Sequence, residues 1–143
     1  MLDERKWDLC KYRMQQARES LNASKIMLQN EMIKDAINRS YYAVFYALKA
    51  VLAIEEKDFR RHKDVVAHFN KMYVATGKFP REFGRLIAKL QQLREKSDYD
   101  DFFIVSIEKA HQQTKSAENT ITEVEKYLRN LKQKKDLDEH PFL

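Results

Sequence analysis

Glycine and proline, the residues that most often break helices, are almost missing from this chain. Its 143 residues contain two glycines and two prolines, while 34% of the residues are charged. Turn-rich β architectures need many such residues at their turns, whereas long amphipathic helices do not. Apolar residues recur three or four positions apart through most of the chain, a period typical of helices with one buried face. The sequence therefore predicts a single all-α domain.

The spacing predicts an up-and-down four-helix bundle with an additional shorter helix. We expect helices over residues 3–29, 32–55, 62–76, 80–96 and 104–134. The bundle occupies residues 1–135, and residues 136–143 are expected to form a flexible tail because they contain a proline and lack periodicity. The residues predicted to face inward from the third helix are His62, Val65, Val66, Phe69, Met72 and Tyr73.

The second predicted helix is apolar or small on most of its circumference, so we expect it at the centre of the bundle. One stripe carries only small side chains and lets a neighbouring backbone approach closely; it comprises Ala36, Ser40, Ala43, Ala47 and Ala50. The aromatic residues Tyr42, Phe45 and Tyr46 exceed what a small bundle needs to cover itself. Because aromatic patches on a surface usually mark interfaces, the sequence predicts a homodimer.

Charge and cysteine content exclude some classes of protein. The 27 lysines and arginines exceed the 22 aspartates and glutamates, for a net charge of +5, which permits nucleic-acid binding without requiring it. The single cysteine, Cys10, excludes an internal disulfide and fits a reducing compartment. The chain has no apolar run as long as a membrane span, and its N-terminus lacks the apolar core of a signal peptide. We therefore expect a cytoplasmic protein.

Arg94 is the first candidate for a functional residue. It lies four residues after Leu90 and seven after Ile87, so its helix turns it toward the packed side. An inward guanidinium is costly unless its charge is paired. Asp98, four residues on, is the nearest candidate partner, and Tyr99 can add a hydroxyl. Two interpretations stay open, namely a salt bridge that ends the helix and a site that binds phosphate.

His62 is the second candidate, at the start of the third helix and on its inward face. Antiparallel packing brings the start of this helix beside the end of the fourth. The residues expected to meet there, at one end of the bundle, are His62, Arg94, Asp98 and Tyr99. An arginine and a histidine together can stabilise a phosphate and move a proton, as RNA cleavage requires. A histidine on an apolar face can equally be an ordinary core residue.

The sequence predicts no metal site and no cofactor. Glu108 and His111 have the Glu-x-x-His spacing of di-iron bundles, but that site needs a second such pair, which the predicted core helices lack. The chain also has no glycine-rich phosphate loop and no Cys/His pattern with metal-ligand spacing.

Four segments resemble, in order, the HEPN (higher eukaryotes and prokaryotes nucleotide-binding) domain, and in particular its small stand-alone prokaryotic branch. They are NRSYYA at 38–43, HKDV at 62–65, YVATGK at 73–78 and REKSDY at 94–99. The resemblance implies a helical bundle that binds a nucleotide or RNA. It also implies a partner, often a small nucleotidyltransferase encoded nearby, in a toxin–antitoxin-like pair. That partner would supply the metal and the nucleotide chemistry.

The resemblance further implies which residues contact RNA or a nucleotide. The expected binding residues are Asn38, Arg39, Tyr42, Arg94, Asp98 and Tyr99. Simple topology places residues 38–42 far from the C-terminal end of the second helix, so we expect them to lie away from Arg94 within one subunit. Two separate sites, or one composite site across a dimer, would both fit.

The catalytic pattern of RNA-cleaving HEPN members is incomplete in this chain. In those members an arginine is followed within a few residues by a histidine, whereas no histidine occurs between Arg94 and His111. Three functions stay open. The first is binding without cleavage, and the second is a metal-independent endoribonuclease that uses Arg94 with His62 or Tyr99. The third is a purely structural protein-interaction bundle, in which a salt bridge between Arg94 and Asp98 only stabilises the helix end.

Overall fold

The computed structural model describes residues 2–139, and within this range all of the regular secondary structure is helical. The helices are α1 (Leu2–Gln29), α2 (Ile33–Ile54), α3 (His62–Phe69), α4 (Arg81–Tyr99) and α5 (Ile107–Glu139). The prediction of four main helices and a shorter one is therefore confirmed. The bounds of the first two helices agree with the predicted bounds to within one residue.

The helices pack up and down around α2, which contacts each of the other four. Two ion pairs show that α1 and α5 are antiparallel. Arg18 pairs with Glu125, while Lys25, two turns further along α1, pairs with Glu118. The most extensive contact in the bundle is the one between α1 and α2. α2 is thus the central helix that its nearly continuous apolar surface predicts.

The small side chains of α2 explain how its neighbours come so close. All five members of the predicted stripe are fully buried, namely Ala36, Ser40, Ala43, Ala47 and Ala50. Beside the first of them, the hydroxyl of Ser24 on α1 donates to the carbonyl of Ala36 at 2.8 Å. The same hydroxyl lies 2.9 Å from that of Thr114 on α5. Larger side chains in this stripe would push the helices apart.

The third helical segment differs from its prediction, because α3 is followed directly by a π-helical segment, Asn70–Val74. A π-helix closes its hydrogen bonds one residue later than an α-helix, which rotates the side chains that follow. Met72, predicted to face inward, is accordingly 38% exposed, whereas Tyr73 is buried. Gly77 then adopts a φ of +82°, the left-handed backbone that favours glycine just past a helix end.

The last helix runs further than predicted. α5 continues to Glu139, so residues 136–139, expected in a flexible tail, are helical. Ion pairs between residues four apart, Lys132 with Asp136 and Lys135 with Glu139, stabilise these turns. Charge spacing thus extends the helix beyond the point where the apolar period stops. Residues 140–143, the rest of the predicted tail, lie outside the described residues.

An irregular segment, residues 55–61, folds back along α2 and determines where α3 begins. Its Asp58 lies 3.6 Å from Nζ of Lys49 and 3.4 Å from Nη2 of Arg13 on α1. Arg13 also donates from Nη1 to the carbonyl of Lys49 at 2.9 Å. The chain is thereby held against α2 more than one turn before that helix ends. His62 consequently arrives beside Phe45, near the middle of α2.

Candidate functional site

Arg94 lies against the aromatic side chains of α2. Because α4 runs antiparallel to α2, the last turns of α4 face the first half of α2. The guanidinium carbon of Arg94 is 4.6 Å from the centre of the Tyr41 ring and 5.7 Å from that of Tyr42. The Arg94 side chain is only 13% exposed. The electron-rich faces of the two rings stabilise the cation and hold it in place.

Asp98 joins α2 to α4 at this site. Its Oδ2 accepts hydrogen bonds from Nη1 of Arg94 at 3.3 Å and from Nδ2 of Asn38 at 3.2 Å. The ion pair suggested by the four-residue spacing is therefore present, although it is long. The Nε of Arg94 is buried and has no hydrogen-bond partner among the described residues. Because this nitrogen is buried, an anion from solvent can reach only the terminal N–H groups of the guanidinium that Asp98 does not use.

His62 packs on the same aromatic surface. Its ring centre is 4.1 Å from that of Phe45, and its Nδ1 is 3.5 Å from the hydroxyl of Tyr41. Burial, followed by the positive charges of Arg94 and Lys49, lowers the pKa of His62 below its ordinary value. The imidazole is therefore uncharged at neutral pH, the state in which a histidine can act as a general base.

A second guanidinium borders this surface. The Cζ of Arg39 is 5.0 Å from the centre of the Tyr42 ring, and its Nε and Nη2 donate to Oδ1 of Asn38 at 3.2 and 2.8 Å. Asn38 thus fixes Arg39 through its oxygen and Asp98 through its amide nitrogen. We define the Arg94 cluster as Tyr41, Tyr42, Phe45, His62 and Arg94.

The structure brings together two segments that we expected to find apart. The expectation that residues 38–42 lie away from Arg94 within one subunit is wrong, because Asn38 bonds to Asp98 and Tyr42 lies beside Arg94. The physical reason is helix direction: the end of α4 meets the start of α2. One subunit therefore contains the whole cluster, and two sites or a site shared across a dimer are not needed to explain it.

Tyr99 is the candidate residue that stays outside the cluster. It is the last residue of α4 and is 79% exposed. It lines an open recess of about 410 Å³ that Arg94 and Lys96 also border. Within the described part of the chain, the Tyr99 hydroxyl forms no hydrogen bond. Tyr99 therefore makes no hydrogen bond to Arg94 or Asp98, contrary to the expectation that it would join them.

Tyr41 and Phe45 belong to the cluster although we did not predict them as site residues. Tyr41 lies four residues after Ile37 and three before Val44, on an apolar stripe of the second helix, and Phe45 was counted among its surplus aromatics. Burial raises the pKa of Tyr41 to about 12, although the charge of Arg94 opposes this shift, so the hydroxyl keeps its proton. An inward arginine needs a partner on the facing helix, and a tyrosine on an apolar stripe was the available signal.

The Glu-x-x-His spacing in the sequence has no counterpart in a metal site among residues 2–139. No group of three or more His, Cys, Asp or Glu side chains in that range is placed to hold a metal ion. His111, from the Glu-x-x-His spacing, is exposed. None of the helices in the same range combines the length and the apolar character needed to cross a bilayer.

Acidification should destabilise the wild-type protein more than a His62→Gln variant. The pKa of His62 is lowered in the folded chain, so between that value and the ordinary one of about 6.5 the unfolded chain binds more protons. The stability contributed by the neutral imidazole is therefore fully present above the ordinary pKa and is lost as the pH falls below it. Thermal melts between about pH 7.5 and 5.5 measure this slope. A His111→Gln variant is the control, and equal slopes for all three proteins would contradict the prediction.

The sequence of this chain is similar to those of known proteins. A model of the HEPN domain matches residues 10–128, which include the whole Arg94 cluster. A UPF0332 protein of Thermotoga maritima is 33% identical over 124 residues, which cover 87% of this chain and 94% of that protein. Two Methanocaldococcus jannaschii proteins, named "Putative toxin MJ0605" and "Putative toxin MJ0142", are 37% identical over 83 residues and 28% identical over 115. These matches cover 58% and 80% of this chain, and 62% and 78% of the two proteins. The chain therefore belongs to the HEPN domain family.

Proposed function

We propose that this HEPN protein is the toxin-like component of a two-protein system and that it binds RNA, or a nucleotide, at the Arg94 cluster. The names of the two Methanocaldococcus relatives support the toxin-like part. The binding part is carried by Arg94, which is held over two tyrosines and bonds to Asp98 through only one of its two terminal nitrogens. A fixed and partly unsatisfied cation offers a phosphate its hydrogen bonds, and the aromatic rings beside it suit stacked bases.

The charges around the cluster support the same proposal. Arg39 and Arg94 lie on the Tyr42 ring, and Nζ of Lys49 is 5.9 Å from the centre of the Phe45 ring. Two carboxylates contact this group: Asp98, which is shared between Arg94 and Asn38, and Asp58, which lies 3.6 Å from Nζ of Lys49. The cations are spread over more than two turns of α2 and the facing helix, so they suit successive phosphates of a strand.

A metal-independent endoribonuclease is the second candidate, and the uncharged state of His62 favours it. Such an imidazole can take the proton of a ribose 2′-hydroxyl while Arg94 stabilises the charge that develops on the phosphate. Tyr99, the other candidate partner of Arg94, is largely exposed. The missing histidine after Arg94 weighs against this function, so we place it second to binding.

Titration of the wild-type protein with a short single-stranded RNA tests both candidates. We expect binding at low salt, and a dissociation constant that rises steeply with salt because bound phosphates release counterions. A denaturing gel of the same samples reports cleavage. Intact RNA supports binding alone, and cleavage that persists in a metal chelator supports the endoribonuclease. If neither RNA nor free nucleotides bind at low salt, the protein is better described as a purely structural bundle in which the Arg94–Asp98 salt bridge stabilises the helix end.

We also propose that the protein forms a homodimer. The aromatic side chains of α2 are less exposed than expected, because Phe45 is buried and the half-buried Tyr42 and Tyr46 pack together with 6.1 Å between their ring centres. Other exposed apolar side chains, at residues 99–104, now support the dimer instead. Light scattering at micromolar concentration should give about twice the 17.1 kDa mass of one chain.

The second proposed partner is a small nucleotidyltransferase encoded nearby, in a cytoplasmic setting. The family resemblance and the toxin-like names of two relatives support this pairing. Expression of the chain alone should slow bacterial growth, and coexpression of a neighbouring nucleotidyltransferase should restore it. Normal growth with the chain alone would count against the toxin-like role.

A further inference from the structure

Two positive charges share one aromatic ring in the first half of α2. The guanidinium carbon of Arg39 is 5.0 Å from the centre of the Tyr42 ring, and that of Arg94 is 5.7 Å from the same centre. The two cations are therefore no further apart than the sum of these distances, and like charges so close repel each other. Anions bound beside them would remove this repulsion, so the pair itself points to a ligand with more than one negative charge.

A single chain of hydrogen bonds links the two guanidinium groups. Oδ1 of Asn38 accepts from Nε and Nη2 of Arg39 at 3.2 and 2.8 Å. Nδ2 of Asn38 donates to Oδ2 of Asp98 at 3.2 Å, and the same Oδ2 accepts from Nη1 of Arg94 at 3.3 Å. The amide of Asn38 thus uses its oxygen toward one arginine and its nitrogen toward the carboxylate that holds the other. The separation of the two arginines therefore depends on Asn38.

Only one of the two arginines is paired with a carboxylate. Asp98 forms an ion pair with Arg94. Arg39 bonds instead to the uncharged oxygen of Asn38 and forms no ion pair within the described residues. Arg39 uses Nε and Nη2 in these bonds, and Arg94 uses Nη1 for Asp98. Each arginine therefore keeps one terminal nitrogen for a phosphate oxygen.

We propose that Arg39 and Arg94 hold two successive phosphates of one single strand, and that Asn38 is the positioning residue that sets their spacing. The proposal rests on the binding function proposed for the Arg94 cluster and names the kind of ligand that this cluster takes. Because Asn38 and Asp98 lie between the two arginines in the hydrogen-bonded chain, the phosphates need to be separated, as they are by a ribose in a strand. The phosphates of a nucleoside diphosphate share one oxygen and lie too close together for this arrangement.

Competition against a labelled short single-stranded RNA at low salt tests the proposal with three unlabelled ligands. The dinucleotide ApA has one phosphate. Its 5′-phosphorylated form, pApA, has two phosphates that a ribose separates, and ADP has two that are joined through one oxygen. The wild-type protein should bind pApA about tenfold more tightly than ApA, because the second phosphate gains a charge-assisted hydrogen bond. It should bind ADP no more tightly than ApA. The Arg39→Ala protein should bind pApA and ApA alike.

Asn38→Ala separates positioning from charge, because it leaves both arginines in place. This variant should lose most of the preference for pApA over ApA, while the salt dependence of RNA binding stays the same since no charge is removed. Arg129→Ala, which removes an exposed arginine of α5, is the control and should keep the full preference. Thermal melts of all three variants show whether each is folded.

The outcomes distinguish this proposal from the proposed function. If the labelled RNA does not bind the wild-type protein, the binding function fails and the two arginines have no phosphate role. If the RNA binds but pApA and ApA compete equally, or ADP competes as well as pApA, the two-phosphate arrangement is overturned while the binding function stands. An Asn38→Ala protein that keeps the full preference for pApA would overturn the positioning role of Asn38.

Discussion

Replacing Ala43 with leucine should lower the free energy of unfolding by about 1–3 kcal/mol. Ala43 is 0% exposed and belongs to the small-residue stripe of the central helix α2. A larger side chain has no space there, so either the helices separate or their side chains leave their preferred rotamers. Urea unfolding followed by circular dichroism measures the difference, and Ala47→Leu should behave in the same way.

Ala88, on the exposed face of α4, provides the matched control. The same change to leucine there places the added methyl groups in solvent and should alter the free energy of unfolding by less than about 0.5 kcal/mol. If Ala43→Leu unfolds at the same urea concentration as the wild-type protein, α2 is not packed as closely as the structure indicates.

The core was largely predictable because the buried face of a helix depends only on spacing within that helix. Val65, Val66 and Phe69 were predicted to face inward and are buried. The same spacing fails at Met72 because the backbone there is π-helical, and nothing in an apolar period distinguishes the two kinds of helix. Residues 136–139 escaped prediction for another reason, since charge pairs rather than apolar residues extend α5.

The candidate site was less predictable because most of its contacts join different helices. Arg94 and Asp98 lie four residues apart in one helix, so spacing alone indicated their pairing. The contacts of Asn38 with Asp98 and of Tyr41 with Arg94 depend on the antiparallel course of α4 along α2. These four residues meet only because α4 runs antiparallel to α2. No pattern within either helix specifies that relative direction.

The position of His62 had a further cause. It is determined by residues 55–61, which have no regular structure and therefore no period to read. Asp58 holds this segment against Lys49 and Arg13, residues that lie 9 and 45 positions earlier in the chain. Asp58 lies outside any helix, so no spacing within a helix indicates these ion pairs. His62 was therefore expected at the end of the bundle rather than beside Phe45.

The largest functional effect is expected for Arg94→Ala, which should weaken the binding of a short single-stranded RNA by about tenfold or more. A hydrogen bond between a guanidinium and a phosphate stabilises a complex by about 1.5–3 kcal/mol, and the variant loses it together with the cation above Tyr41. Stability should change less, because the Asp98 side chain is 28% exposed and keeps its hydrogen bond from Asn38. Parallel titrations at low and high salt, with thermal melts, measure both quantities.

Two further variants separate the charge of Arg94 from its shape. Arg94→Lys keeps the positive charge but loses the planar fork of donors, so it should bind RNA with intermediate affinity and keep the salt dependence. Arg129→Ala removes an exposed arginine of α5 and should change the affinity little. If the Arg94–Asp98 salt bridge only stabilises the fold, the opposite pattern is expected. The Arg94→Ala protein then melts at a much lower temperature than the wild type. RNA binding would then be equal in the wild type and the variant and insensitive to salt, and that result would leave Arg94 and Asp98 a purely structural role.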